Sequence, residues 1–245
     1  MNILKYRNFF FAFSLFFLIP GSIFLLTFGL KPSIDFIGGS VLELEFSREK
    51  SPEVAELSPD ELKNTLLEST KELYVVTDIK LNQENRIILE GNDITNEIKT
   101  LVLESLGQKL TDVRELRFES IGPTLSKELL VKTLTALVIV AGVIMTYVWY
   151  QFDELKYGVC AILAMLHDSI IVLGAFSILG FFYGVQVDVL FITALLTTLS
   201  FSVHDTIVVY DRIRELKRKR AFADYHEIVN TAVVETLSRS INNSV

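Results

Sequence analysis

Four long apolar runs, Phe9–Phe28, Leu125–Tyr150, Tyr157–Phe182 and Val187–Val209, decide most of what this chain can fold into. Each holds roughly twenty residues or more, enough at about 1.5 Å of rise per residue to cross a bilayer's hydrocarbon core as a helix. Lipid offers the backbone no hydrogen bonds, so an apolar segment that crosses alone must satisfy its own amides by coiling into a helix. The hydrophobic fraction of 50 % and the mean hydropathy of +0.41 are concentrated in these blocks rather than spread through one large soluble core.

Charges at the ends of the runs give the topology. Lys5 and Arg7 precede the first run, and no small-residue cleavage site follows it at Phe28-Gly29-Leu30-Lys31. This is an uncleaved span, with Pro20-Gly21 marking a kink and the N-terminus in the cytoplasm. After the fourth run, six basic residues fall between Arg212 and Arg220, which also places that end inside. Trp149 and Tyr150 fit an interfacial belt at the inner side of the second span. A net charge of −7 argues against a nucleic-acid partner. The single cysteine, Cys160, excludes an intramolecular disulfide and a cysteine-rich metal site.

The sequence thus divides into a tail and first span over residues 1–30, an extracytoplasmic domain over 31–122, three further spans over 123–213, and a basic cytoplasmic segment over 214–245. Between Ser33 and Ile121 there are 19 acidic and 10 basic residues, a composition suited to water. Val41–Phe46 alternates as a strand. Ser58-Pro59-Asp60-Glu61 reads as a cap with proline in the first turn of a helix to Ser69. Leu73–Leu81 and Arg86–Glu90 flank a hairpin turn at Asn82–Asn85, Thr95–Lys109 carries a helical stripe, and Val113–Phe118 is a last strand. The order β-α-β-β-α-β is the ferredoxin-like pattern. Tyr225–Arg239 forms an amphipathic helix expected to lie along the membrane surface.

Two spans carry ionisable groups away from their ends. Asp168 follows His167 in the third, about 18 Å along the helix from Lys156 and so near mid-membrane. An acid there costs roughly 2.5–3.5 kcal/mol and should face a partner or a wet cavity. Changing water access lets an acid so placed alternate between protonation states. His167 is about 100° around the helix and need not share that cavity; proton transfer and helix–helix bonding both remain open for it. In the fourth span, Asp205 and Arg212 are seven residues apart on nearly one face, which makes Arg212 a switchable partner for Asp205. The alternative is static pairing of Asp211 and Arg212 with neighbouring loops. Thr197, Ser200 and His204 fall at helical spacing, either lining a hydrated path or bonding neighbouring helices. Asp35 with Gly38-Gly39 lies just outside the first span; a tight backbone path and a proton-receiving acid are the two readings.

Several of these stretches together resemble the SecF family, the smaller subunit of the SecD–SecF accessory to the Sec export channel. Lys31–Ser40, KPSIDFIGGS, is similar to the family's stretch after the first span, with Ser33 where glycine is usual. Ser120-Ile121-Gly122-Pro123 resembles the motif entering the second span. Ala164–Asp168 matches A-x-x-H-D, and Ser202–Glu215, SVHDTIVVYDRIRE, matches the fourth-span signature with His204 in place of asparagine. The family has six spans, so a chain ending at Val245 reads as truncated before the fifth.

The resemblance implies an α-helical membrane protein, an RND/SecF-like bundle with an inserted α+β ferredoxin-like extracytoplasmic domain, in a bacterial-type cytoplasmic membrane. It implies SecD, the SecYEG channel, exported unfolded polypeptides and membrane lipids as partners, with no cofactor, metal or enzymatic activity. The expected work is use of the proton-motive force to promote export, with Asp168, Asp205, Arg212 and His167 as the relay. The alternative is a proton-coupled exporter of small apolar molecules. An intramembrane aspartyl protease would need Gly-x-Gly-Asp, which is missing; H-E-x-x-H and G-x-S-x-G are missing too.

Overall fold

The computed structural model describes residues 2–46, 58, 60, 61, 64, 75–82, 86–107, 112–151, 154–219 and 224–244. The helices and strands in chain order are α1 (Arg7–Thr27), α2 (Ile34–Ile37), β1 (Gly39–Glu45), β2 (Val76–Asn82), β3 (Arg86–Gly91), α3 (Asn96–Gly107), β4 (Arg114–Ile121), α4 (Pro123–Gln151), α5 (Leu155–Tyr183), α6 (Val189–Lys219) and α7 (Tyr225–Ser244). The chain splits into two compact units, residues 1–31 with 133–245, and residues 32–132.

In the first unit the long helices are apolar because their outer faces have no water-soluble role. Among the described residues four helices are long and apolar enough to span a bilayer, running over Leu4–Thr27, Pro123–Gln151, Lys156–Tyr183 and Val189–Lys219. Phe9, Phe13, Phe16, Val138, Val143 and Leu163 are exposed, as side chains bathed in lipid would be. Where helices meet, packing replaces lipid. Val148 of α4, Tyr157, Ala161 and Met165 of α5, and Leu199, Val203 and Ile207 of α6 form one buried cluster. Val187, Phe191 and Leu195 form another with Val172, Leu173 and Phe176 of α5.

The helix ends have local causes. Gly184, at φ 67°, closes α5 with its amide on the Gly180 carbonyl at 3.1 Å. Asp188 then opens α6, its Oδ1 accepting the Phe191 amide at 2.7 Å. Pro20 lies inside α1, and beside it buried Gly21 meets Gly174 of α5; a Cβ built on Gly174 would lie 2.6 Å from the Gly21 Cα. Gly21 thus serves a close helix crossing, a role that the Pro20-Gly21 pair read alone does not signal.

Helix α6 does not stop at Val209. It runs on to Lys219, and α7 packs on that extension through Ile228 and Ala232 against Ile213 and Leu216. The stripe expected to rest on the membrane surface is therefore spent in part on α6, while Leu237 and Ile241 remain exposed.

The second unit holds a four-stranded sheet of order β2-β3-β1-β4 with every neighbouring pair antiparallel. That is the ferredoxin-like arrangement: β1 and β2 run the same way with β3 inserted between them, and β3 and β4 do so around β1. Strand alternation sends Leu42, Leu44, Ile87 and Leu89 to one face, where Val102 and Leu106 of α3 cover them. Asp60, Glu61 and Asn64 are helical, and Ser58 and Glu61 bond reciprocally as the cap signal requires. The rest of the helix expected to Ser69, and the turn residues 83–85, lie outside the described residues.

Candidate functional site

The third span delivers His167 and Asp168 to a point where three helices meet. Asp168 Oδ2 accepts a hydrogen bond from the Ser202 hydroxyl of α6 at 2.6 Å, and Oδ1 lies 2.9 Å from His167 Nδ1. The other imidazole nitrogen, Nε2, is hydrogen-bonded to the Ser14 hydroxyl of α1. A polar chain thus runs Ser14–His167–Asp168–Ser202 through α1, α5 and α6. The imidazole ring is long enough to swing back onto its neighbour's carboxylate, so the 100° between successive positions does not separate the pair. His167 therefore reaches the acid, a point that its place on the helix had left open.

Neither group is sealed within the chain: the side chains of His167 and Asp168 are 38 % and 42 % exposed. The carboxylate is therefore covered in part by α5 and α6 and open on one side.

Asp205 lies three residues beyond Ser202 on α6, hence about one turn away, half-buried and without a hydrogen-bond or ion-pair partner among the described residues. Arg212 is not its partner. The guanidinium Nε donates to Glu235 of α7 at 2.6 Å, and Nη1 pairs with Glu215. Seven residues of α6 separate Asp205 from Arg212 by about 10 Å of rise, whereas Glu235 faces Arg212 directly from the packed α7. Asp211 bonds Gln151 at 3.4 Å and Arg214 at 3.5 Å, so both Asp211 and Arg212 take part in pairings at the end of the bundle. Val208, Asp211, Arg212, Glu215, Glu235, Thr236 and Arg239 line a cavity there of about 500 Å³.

Thr193, Thr197, Ser200 and His204 lie on an exposed face of α6, away from Asp168. Thr197 donates to its own helix, at the Thr193 carbonyl.

The Asp35–Gly39 segment lies in the other unit. Ser33 caps the one-turn α2, its hydroxyl accepting the Asp35 amide at 3.2 Å. Gly38 and Gly39 have φ of 78° and 128°, and a Cβ on Gly39 would lie 2.4 Å from the Gly91 carbonyl oxygen. Glycine is required there because strand β3 approaches too closely for any side chain.

Ser14, Glu215 and Glu235 are partners that sequence reasoning missed. Ser14 did carry a signal: between Asn8 and Ser22 it is the one hydroxyl in a phenylalanine-rich run.

Fold and site define a polytopic α-helical membrane protein with an inserted ferredoxin-like unit and a hydrogen-bonded carboxylate inside a span. The family model described as protein export membrane protein SecD/SecF, C-terminal, matches residues 102–245, and that of the SecD/SecF GG motif matches residues 23–50. The protein translocase subunit SecF of Anaerolinea thermophila is 39 % identical over 252 residues, covering 100 % of this chain and 79 % of that one. The Bacillus subtilis protein translocase subunit SecDF is 32 % identical over 96 % of this chain and 30 % of its own. The crystal structure of SecDF from Thermus thermophilus, a translocon-associated membrane protein, superposes with a TM-score of 0.77 at 28 % identity, over 98 % of this chain and 31 % of that one. The chain belongs to the SecD/SecF family of protein export membrane proteins.

Proposed function

We propose that this chain is a Sec translocase accessory subunit that works with a SecD partner and uses the proton-motive force to promote protein export. The observation that carries this reading is Asp168: a carboxylate inside a membrane helix, bonded by His167 of α5 and Ser202 of α6, linked through His167 to α1, and open on one side. A half-covered acid of this kind can gain and lose a proton as water reaches it, and each change alters what it asks of the helices that hold it. Asp205, one turn from Ser202 on α6, is the second carrier, and His167 is the relay between Asp168 and α1.

The SecDF relatives carry both halves in one chain, which supports SecD as the partner whose helices cover the open side of Asp168 and the polar face of α6. The SecYEG channel and unfolded polypeptides in transit are the further partners, together with membrane lipids around the exposed spans. Residues 32–132 then form an extracytoplasmic domain, and the N-terminus, the basic end of α6 and α7 face the cytoplasm of a bacterial-type cell. Work of this kind makes and breaks no substrate bond, so the chain is not an enzyme. Arg212, paired with Glu215 and Glu235, serves the relay indirectly by holding the basic end of α6.

The test is Asp168→Asn in a complex with SecD and SecYEG, reconstituted in vesicles with an imposed proton gradient. Proton-dependent stimulation of export is expected to vanish while co-purification with SecD persists; unchanged stimulation overturns the reading.

A further inference from the structure

Hydroxyl groups inside apolar helices ordinarily donate to a carbonyl of their own helix four residues back. Thr193, Thr197, Thr198 and Thr206 of α6 do so, and so does Ser169 of α5. Ser14 and Ser202 instead cross to another helix, and both end on the His167–Asp168 pair.

Hydrogen counting then assigns the whole chain. An ionised carboxylate can only accept, so Ser202 O–H donates to Oδ2 and His167 Nδ1–H donates to Oδ1. A neutral imidazole with its hydrogen on Nδ1 has a lone pair on Nε2, and Ser14 O–H fills it. With the carboxylate ionised and the imidazole neutral, one arrangement of hydrogens satisfies all four groups.

From this we infer that Ser14 and Ser202 are positioning residues of a proton relay, Ser14 fixing the tautomer of His167 and Ser202 orienting the Asp168 carboxylate. The inference rests on the reading of Asp168 as a proton carrier. When hydronium delivers a proton to Nε2, the Nδ1 proton passes to Asp168 Oδ1. The imidazole stays neutral with its hydrogen on the other nitrogen, the carboxylate becomes a neutral acid, and water is left behind. Ser14 must then turn its hydroxyl from donor to acceptor, while Ser202 goes on donating to Oδ2. Protonation at Asp168 is thereby registered on α1, a helix that Asp168 itself does not touch through any hydrogen bond in the described residues.

The experiment uses the complex with SecD and SecYEG in vesicles, with export driven by a proton gradient and the protein labelled with [15N]histidine. The His167 resonances are assigned by their loss in His167→Gln. Ser14→Ala is expected to slow proton-driven export about fivefold, the factor one ordinary hydrogen bond is worth, and to shift His167 away from the Nδ1–H tautomer. Ser14→Thr restores both, and Ser14→Val, of matching shape, restores neither. Ser202→Ala slows export similarly with the tautomer unchanged. If Ser14→Ala and Ser202→Ala both export at the wild-type rate while Asp168→Asn is inactive, the inference falls and the carrier reading stands. If Asp168→Asn itself exports normally, the carrier reading falls and takes the inference with it. A slowed Ser14→Ala with an unshifted tautomer, or a Ser14→Val as active as Ser14→Thr, reduces Ser14 to packing and overturns its role.

Discussion

Ser202 of α6 donates to Asp168 of α5 at 2.6 Å, although a carbonyl of its own helix was available four residues back. Choosing the carboxylate ties two spans at the level of the acid. Removing that hydroxyl takes away one of the two donors on the carboxylate and should destabilise the bundle by about 0.6–2 kcal/mol, the range for cross-helix bonds in membranes. Thr206→Val removes a hydroxyl that merely bonds the Ser202 carbonyl of α6 and should cost no more than about 0.5 kcal/mol. Unfolding of the detergent-solubilised protein by a denaturing surfactant distinguishes the two. Equal losses would show that the location of the hydroxyl, not its partner, sets the cost.

The crossing of α1 on α5 is set by two glycines in contact. A Cβ on Gly174 would meet the Gly21 Cα at 2.6 Å and its carbonyl carbon at 2.8 Å, whereas one on Gly21 would meet the Gly174 Cα at 3.2 Å. Backbone cannot move aside as a flexible side chain can. Gly174→Ala should therefore cost about 1–3 kcal/mol and Gly21→Ala less, with the order read from the same unfolding assay. Because Ser14 lies on α1, Gly174→Ala is also expected to loosen the Ser14–His167 contact.

How much of this was written in the chain depends on which interactions are local. Asp168 could be singled out because one acid in a long apolar run breaks the pattern whatever surrounds it. The ferredoxin-like order was readable because strand alternation, the Ser58 cap and the α3 stripe are each local signals. The Ser14 contact was not, since which face of α1 meets α5 depends on the Gly21–Gly174 crossing. The place of His167 stayed open because helical position gives the direction of Cβ and not how far a ring can reach back to its neighbour. The end of α6 was set too early because the apolar run stops at Val209 while helicity continues. Asp211 through Lys219 contains no glycine or proline, and Glu215–Lys219 pair at 2.6 Å across one turn.

In the other unit, Gly39 is the position least able to change. Its φ of 128° disfavours any side chain, and a Cβ would stand 2.4 Å from the Gly91 carbonyl oxygen, at the pairing of β1 with β3. Gly39→Ala should cost about 2–4 kcal/mol by combining strain with overlap. Gly38→Ala, whose Cβ would meet the movable Ser126 hydroxyl at 3.1 Å, should be milder, although its φ of 78° still carries a penalty. Limited proteolysis or hydrogen exchange at the start of β1 would rank them.

The Ser58–Glu61 cap predicts a pH effect. The Glu61 carboxylate accepts the Ser58 amide at 2.8 Å and the Ser58 hydroxyl at 3.0 Å, and the amide bond above all holds its pKa below the ordinary glutamate value. A lowered folded-state pKa gives stability that is present above the unfolded value and lost as the pH falls through the folded one. Amide exchange at Ser58, Asp60 and Glu61 should therefore quicken as the pH drops below the ordinary carboxylate range of about 4, after correction for intrinsic rates. Ser58→Ala, which loses the hydroxyl bond and keeps the amide bond, should weaken that extra pH dependence, and Glu61→Gln should remove it.

Arg212 and Glu235 give the most direct test of how α7 is held. Their side chains are 30 % and 41 % exposed, so the pair is neither deeply buried nor free in water. The guanidinium is shared with Glu215, which Lys219 also engages at 2.6 Å, so Arg212→Gln disturbs several contacts together. A double-mutant cycle with Arg212→Gln and Glu235→Gln isolates the cross-helix contribution, because losses confined to either residue alone cancel. Exposed pairs contribute little on their own, and the close geometry of this network makes a small favourable coupling the expected result at low salt. The coupling should shrink as salt is raised, since the Debye length falls to about 3 Å at 1 M. A coupling near zero at low salt would mean that the apolar contacts of Ile228 and Ala232 hold α7 without help from this pair.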